Sequence, residues 1–150
     1  MIKQAVAGDE RNGTYNAIIA TYKVMQRGMT KLLSEEGLTQ PQFTALRVMA
    51  RHGPTPMKTL SDELLVTAAN ITGIVDRLES KGLVRRAASS EDRRATIVEL
   101  TTGGMRLQEA VTKKYVGFLQ KALQSFSSEE QQTLSILLAK LRDEMSELSS

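Results

Sequence analysis

The residues of this chain best suited to chemistry on a partner are its arginines. Arg85, Arg86, Arg93 and Arg94 fall within ten residues, opposed there only by Glu91 and Asp92. A guanidinium offers a planar fork of donors that matches phosphate and carboxylate oxygens, so the chemistry is anion recognition rather than bond making. Asp92 stands two residues before Arg94, where its carboxylate can orient the guanidinium through a charge-assisted pair. An oriented arginine on a thin turn suits a minor groove, whose narrow A·T stretches concentrate negative potential.

A second set lies upstream. Thr67, Ala68, Ala69, Asn70, Thr72 and Gly73 are small, and several can hydrogen-bond. On one side of a helix they would allow close approach to a grooved partner, with Asn70 matching adenine and the small residues meeting thymine methyls. Arg77 and Lys81, four apart, can reach one phosphate strand, while Asp76 and Glu79 are expected to pair internally. A third, weaker set is Tyr22, Lys23 and Arg27, which could take an aromatic carboxylate; the plainer reading of Lys23, Arg27 and Lys31 is a solvated basic face.

Other chemistries are excluded by composition. The chain has no cysteine, hence no disulfide, thiolate metal site or thiol redox sensor, and its one histidine, His52, cannot build a metal centre alone. No nucleophile–base pair, carboxylate dyad or phosphate-cradling glycine loop is present, so an enzyme is the poorest reading and no cofactor is expected. The net charge of +3 is modest, but its distribution is informative: residues 39–101 carry nine basic and seven acidic groups, and residues 102–150 six of each. No apolar run approaches the roughly 20 residues a membrane helix needs, and the N-terminus lacks a signal-peptide core, so a soluble, cytoplasmic chain without membrane contact is expected.

The elements that must position these residues follow from periodicity. A first helix from Tyr15 carries Ile18, Tyr22, Met25, Met29, Leu32 and Leu33 on one stripe and stops at Gly37, after a first segment without periodicity. Thr39-Gln40-Pro41-Gln42 opens a second helix with a capping box, and Gly53-Pro54 ends it. A third helix runs to Leu65, with Leu60 and Leu64 inward. After a tight turn Thr67 caps a fourth, whose inner side is Ile71, Ile74, Val75 and Leu78. Two strands, 83–87 and 95–100, flank the polar tip 88–94.

A fifth helix follows Gly103-Gly104. Ser127-Ser128-Glu129-Glu130 then caps a sixth, whose Leu134, Leu137, Leu138, Leu141, Met145 and Leu148 form a nearly heptad seam that must be buried somewhere. The expected fold is mainly α with a small β-hairpin wing. A winged helix-turn-helix spans 38–102, and helices from 1–36 and 103–150 hold two chains together. A bundle within one chain is the alternative for those helices.

The stretches TLSDELLVTAANITGIVDRLESKGLV and SSEDRRATIVELTTGG, with Asp92 and Arg94 as an Asp-x-Arg wing signature and Val98 to Thr101 as the strand exit, resemble the MarR family of winged helix-turn-helix regulators. The resemblance covers nearly the whole chain. It implies a homodimer that reads double-stranded DNA at a pseudo-palindromic operator. Thr67 to Lys81 would enter the major groove and Arg94 the adjacent minor groove, so that Thr67, Ala69, Asn70, Thr72, Arg77, Arg93 and Arg94 contact DNA. It also implies repression relieved by a small anionic or phenolic effector bound between the DNA-binding and dimerisation regions.

Two positions depart from the pattern: Gly73 stands where many relatives have arginine, and Leu65 where the turn often has glycine. The competing reading is a winged-helix ligand- or protein-binding module without sequence-specific DNA binding, favoured by Gly73 and the modest net charge.

Overall fold

The computed structural model of the protein describes residues 10–89 and 95–149, so Asp92, Arg93 and Arg94 at the hairpin tip lie outside the described residues. Helix α1 (Glu10–Glu35) begins before Tyr15, over residues whose sequence carries no apolar stripe by which to mark them. It ends as expected at Gly37. With Gly37 at φ 68°, its N–H donates to Ser34 O (3.0 Å) and that of Leu38 to Leu33 O (2.9 Å), which satisfies two terminal carbonyls. Met29 and Leu33 are buried, whereas Tyr22 is 58% exposed and Met25 is also exposed, so the apolar stripe is covered only toward its C-terminal end.

Helix α2 (Gln40–His52) forms the middle of the core. Thr39 N donates to Gln42 Oε1 (3.0 Å) and Gln42 N to Thr39 Oγ1 (3.4 Å), the reciprocal cap expected from the sequence. Phe43, Ala45, Leu46, Val48 and Met49 are buried along it. The chain then turns at Gly53 (φ 75°) into a strand the sequence reading lacks, β1 (Thr55–Pro56). Helix α3 (Met57–Leu64) follows with Leu60 fully buried, and after it α4 (Ala68–Ser80), which buries Ile71, Ile74, Val75 and Leu78. That i, i+3, i+4, i+7 set is the stripe of an amphipathic helix.

Strands β2 (Val84–Ala88) and β3 (Thr96–Leu100) pair antiparallel, with Val84 opposite Leu100, Arg85 opposite Glu99 and Arg86 opposite Val98. On its other edge β3 pairs with β1, Thr55 opposite Val98, which gives the order β1-β3-β2. The wing is therefore anchored at its root to the segment joining α2 and α3. Val84, Val98 and Thr55, all buried, make this the seam between sheet and helices.

Helix α5 (Thr102–Leu123) starts against the wing, and α6 (Ser128–Leu148) closes the chain, capped by Ser127 and Glu130 as read from the sequence. The chain divides into two compact units, Met1–Thr112 and Lys113–Ser150. The first holds the core just described, to which Val111 of α5 adds a fully buried side chain. In the second, α6 buries none of its described side chains, and Leu134, Leu137, Leu138, Leu141, Met145 and Leu148 stand exposed.

Candidate nucleic-acid interface

The turn between α3 and α4 sets how the outer face of α4 is presented. Leu65 adopts the left-handed conformation, φ 54° and ψ 43°, which costs a residue with a Cβ about 1–2 kcal/mol. It is 92% exposed, so the side chain gains nothing from packing to offset that cost, and its N–H donates to Asp62 O. The turn keeps the geometry that glycine would provide.

Thr67 then caps α4, its Oγ1 accepting from Asn70 N (3.2 Å). Thr67, Ala68, Ala69, Asn70, Thr72 and Arg77 are all exposed, outside the buried stripe. Their hydrogen-bonding capacity differs in ways the sequence does not disclose. Thr72 Oγ1 donates to Ala68 O (2.9 Å), which leaves it an acceptor and a methyl group, whereas the Thr67 hydroxyl accepts within the cap and keeps its proton for an outside acceptor. Asn70 and Arg77 make no side-chain hydrogen bond among the described residues, so both remain available. At Gly73 nothing lies within 4 Å of a would-be Cβ.

The wing arginines behave differently from a simple charged patch. Arg85 Nε donates to Glu99 Oε1 (2.6 Å), its partner across the strands. Arg86 turns back onto α4: its guanidinium donates to Asp76 Oδ1 and to Glu79 Oε2, each at 2.5 Å, and its backbone N–H to Glu79 Oε1 at 3.1 Å. The hydrogen bond to Asp76, aided by Glu79 and opposed by partial burial, raises the Arg86 pKa above its ordinary value, which keeps the guanidinium charged.

Asp76 and Glu79 therefore pair internally as expected, but with a wing residue that composition alone would count as a phosphate contact. Partly exposed pairs of this kind each contribute only about 0–1 kcal/mol, so their main consequence is geometric. Lys81 is committed as well, its Nζ donating to Gly37 O at the end of α1.

The partner missed is Arg86, whose one weak signal is that it follows two acids three apart on α4 by seven residues; only the chain reversal at Gly82 (φ 69°) brings them together. Farther off, Tyr22, Lys23 and Arg27 lie on the exposed part of α1. Tyr22 accepts from Gln26 Nε2 (2.6 Å), and Lys23 and Arg27 share a face from which Tyr22 is turned by about 140° relative to Arg27.

The wing root is closed by the start of α5. Thr101 N donates to Leu83 O (3.1 Å), Thr101 Oγ1 donates to Gly82 O (2.6 Å), and the same oxygen accepts from Gly104 N (3.0 Å). Gly104 passes so close to Leu83 that a Cβ there would sit 1.9 Å from the Leu83 carbonyl oxygen.

Comparison with known proteins matches this arrangement. The MarR family model covers residues 38–96, from just before α2 to the start of the second wing strand. The HTH-type transcriptional repressor NicR of Pseudomonas putida is 34% identical over 106 residues, 71% of this chain and 67% of its own length. The chain belongs to the MarR family.

Among other MarR-type relatives, the HTH-type transcriptional regulator MhqR of Bacillus subtilis is 28% identical over 120 residues, 80% of this chain and 83% of that protein. A MarR variant from E. coli, solved in complex with operator DNA, superposes with a TM-score of 0.76 at 28% identity, covering 89% of this chain and 99% of that one. As a MarR-family chain the protein is a DNA-binding transcriptional regulator and not an enzyme. No helix among the described residues is long and apolar enough to cross a membrane.

Proposed function

We propose that this MarR-family protein is a homodimeric repressor that reads a pseudo-palindromic operator and is released from it by a small anionic or phenolic effector. The observation that carries the DNA-reading role is the outer face of α4, exposed from Thr67 to Arg77 within the winged fold that the E. coli relative uses on operator DNA. In this reading Thr67, Ala69, Asn70 and Thr72 meet base edges, with Asn70 free to pair bidentately with adenine and Thr72 offering its methyl group and acceptor. Arg77 contacts phosphate, Arg93 adds charge, and Asp92 orients Arg94 into the minor groove.

Residues 38–102 form the reading head, and helices from 1–36 and 103–150 hold two heads at a fixed spacing. The exposed leucine face of α6 supports this reading, since a second copy would bury a seam of that length. Repression agrees with the name of the relative NicR. Effector release is supported by α1, where Lys23 and Arg27 share an exposed face without an ion pair among the described residues; Tyr22 would contribute from a neighbouring face.

Selection of bound duplexes from a random pool tests this reading. A recovered palindrome whose half-sites lie about one helical turn apart supports it, and a pool without consensus overturns it in favour of a ligand- or protein-binding module. On the recovered duplex, Arg94→Ala is expected to weaken binding by about 1–3 kcal/mol while the dimer stays folded. Equal binding by that variant, in a gel-shift titration, removes the minor-groove role. A panel of aromatic carboxylates titrated into the complex tests release, and Lys23→Ala with Arg27→Ala is expected to blunt it.

A further inference from the structure

Arg86 is one of the four wing arginines, yet its side chain is turned onto the recognition helix and is only 27% exposed. Its two terminal nitrogens hold Asp76 and Glu79, one turn apart on α4, and its backbone N–H holds the second oxygen of Glu79. Both acids lie at the C-terminal end of the exposed side of α4, flanking Arg77, and Arg86 lies on the first wing strand opposite buried Val98. The only covalent path between the two elements is Lys81-Gly82-Leu83, with Gly82 in the left-handed region. The wing root is also held by the pairing of β3 with β1 and by Thr101, and Arg86 adds to these a direct side-chain link from β2 to α4.

We propose that Arg86 is a positioning residue for DNA reading, clamping the wing root to the recognition helix through Asp76 and Glu79 so that the two present to DNA as one body. The proposal rests on the DNA-reading role above and adds how its two contacts are kept in register. The planar fork is essential, because two acids a turn apart need donors fixed in two directions, which the single ammonium of lysine does not provide. The clamp also gives the acids a purpose. Two carboxylates on a helix facing a polyanion oppose binding, unless their hold on Arg86 is worth more than the repulsion they add.

That balance yields a test by sign. If the acids were bystanders, Glu79→Gln would remove repulsion and strengthen DNA binding, and Arg86→Lys, which keeps the charge, would change nothing. The clamp predicts the opposite for both: binding to the duplex recovered from the random pool weakens, by up to about fivefold for each partly exposed pair lost. Because Arg86 touches no phosphate, Arg86→Gln is expected to leave the salt slope as in the parent, whereas a lost phosphate contact would lower it by about one.

Hydroxyl-radical footprints separate positioning from simple loss of structure. The variants are expected to lose protection at the outer, wing-contacted minor grooves while keeping it at the major-groove half-sites; a destabilised protein would lose both together. Unchanged or stronger binding by Glu79→Gln, or a reduced salt slope for Arg86→Gln, overturns the clamp.

A DNA-free measurement keeps this distinct from the functional reading. Amide exchange in β2 and β3 is expected to quicken in Arg86→Lys and Glu79→Gln while that of α2 is unchanged, and unchanged exchange in the strands overturns the clamp. Should the parent itself recover no consensus duplex, the DNA-reading role fails on the parent alone, whereas the clamp is judged on the exchange difference between parent and variants.

Discussion

Gly104 and Gly73 both sit in helices, and their surroundings assign them opposite values. A Cβ on Gly104 would lie 1.9 Å from the carbonyl oxygen and 2.9 Å from the carbonyl carbon of Leu83. Both are backbone atoms held by the Thr101 N–H and cannot move aside. Gly104→Ala is therefore expected to destabilise the protein by about 1–3 kcal/mol or more through overpacking, read as a lower thermal midpoint at fixed protein concentration. Around Gly73 there is open space. Gly73→Ala is expected to stabilise the fold by about 0.5–1 kcal/mol through helix propensity alone, measured by the denaturant midpoint; a loss of stability would show a close neighbour. Both glycines were visible in the sequence, but which was indispensable was not, because the clash involves Leu83, twenty-one residues away. The arginines carry the same lesson. Arg85, Arg86, Arg93 and Arg94 look alike in sequence, and only the fold commits Arg85 to Glu99 and Arg86 to two acids of α4.

At the scale of elements, agreement with the sequence follows the strength of the local signal. Helices α2, α3 and α4 lie where periodicity and caps put them, because Thr39, Gln42, Gly53 and Thr67 satisfy helix ends through bonds spanning three or four residues. Leu78, fully buried on α4, faces the core from the helix whose outer side is exposed. Leu78→Ala is expected to cost about 2–5 kcal/mol in equilibrium unfolding, and any loss of DNA binding should track the unfolded fraction. A cost below about 1 kcal/mol would mean that the core collapses onto the space left behind. Strand β1 had no such local signal. Two residues after a Gly-Pro helix stop have no alternation to read, and Thr55-Pro56 is a strand only because β3 pairs with it from forty-odd residues away. The early start of α1 is similar: Glu-Arg-Asn-Gly-Thr has no apolar spacing, and helix there is continued from Tyr15 onward.

For the whole molecule the decisive feature is α6, a helix that buries none of its described side chains. Leu148 is 83% exposed there, beside Leu137, Leu138, Leu141 and Met145. An apolar face of this extent is rare on a stable monomer. In the proposed homodimer it is interface, so Leu137→Glu with Leu141→Glu is expected to yield a species near the 16.5 kDa protomer mass in sedimentation equilibrium, and to lose operator binding with it. A variant that stays dimeric would move the interface elsewhere. Affinity should fall more than specificity, since each protomer keeps its reading face while the two half-sites are no longer held at one spacing.

By itself the sequence determined the helices, their caps, the wing hairpin, the inner stripe of α4 and the identity of its outer residues, since each follows from periodicity or from bonds between near neighbours. It carried the family through the run from Thr59 to Gly104 as well. Only the tertiary structure decided which charges are spent inside the chain and which remain for a partner. Arg85, Arg86 and Lys81 are held by Glu99, by Asp76 and Glu79, and by the Gly37 carbonyl. The physical reason is that an ion pair depends on distance through space, and distances across chain reversals such as Gly82 are not encoded in spacing along the chain.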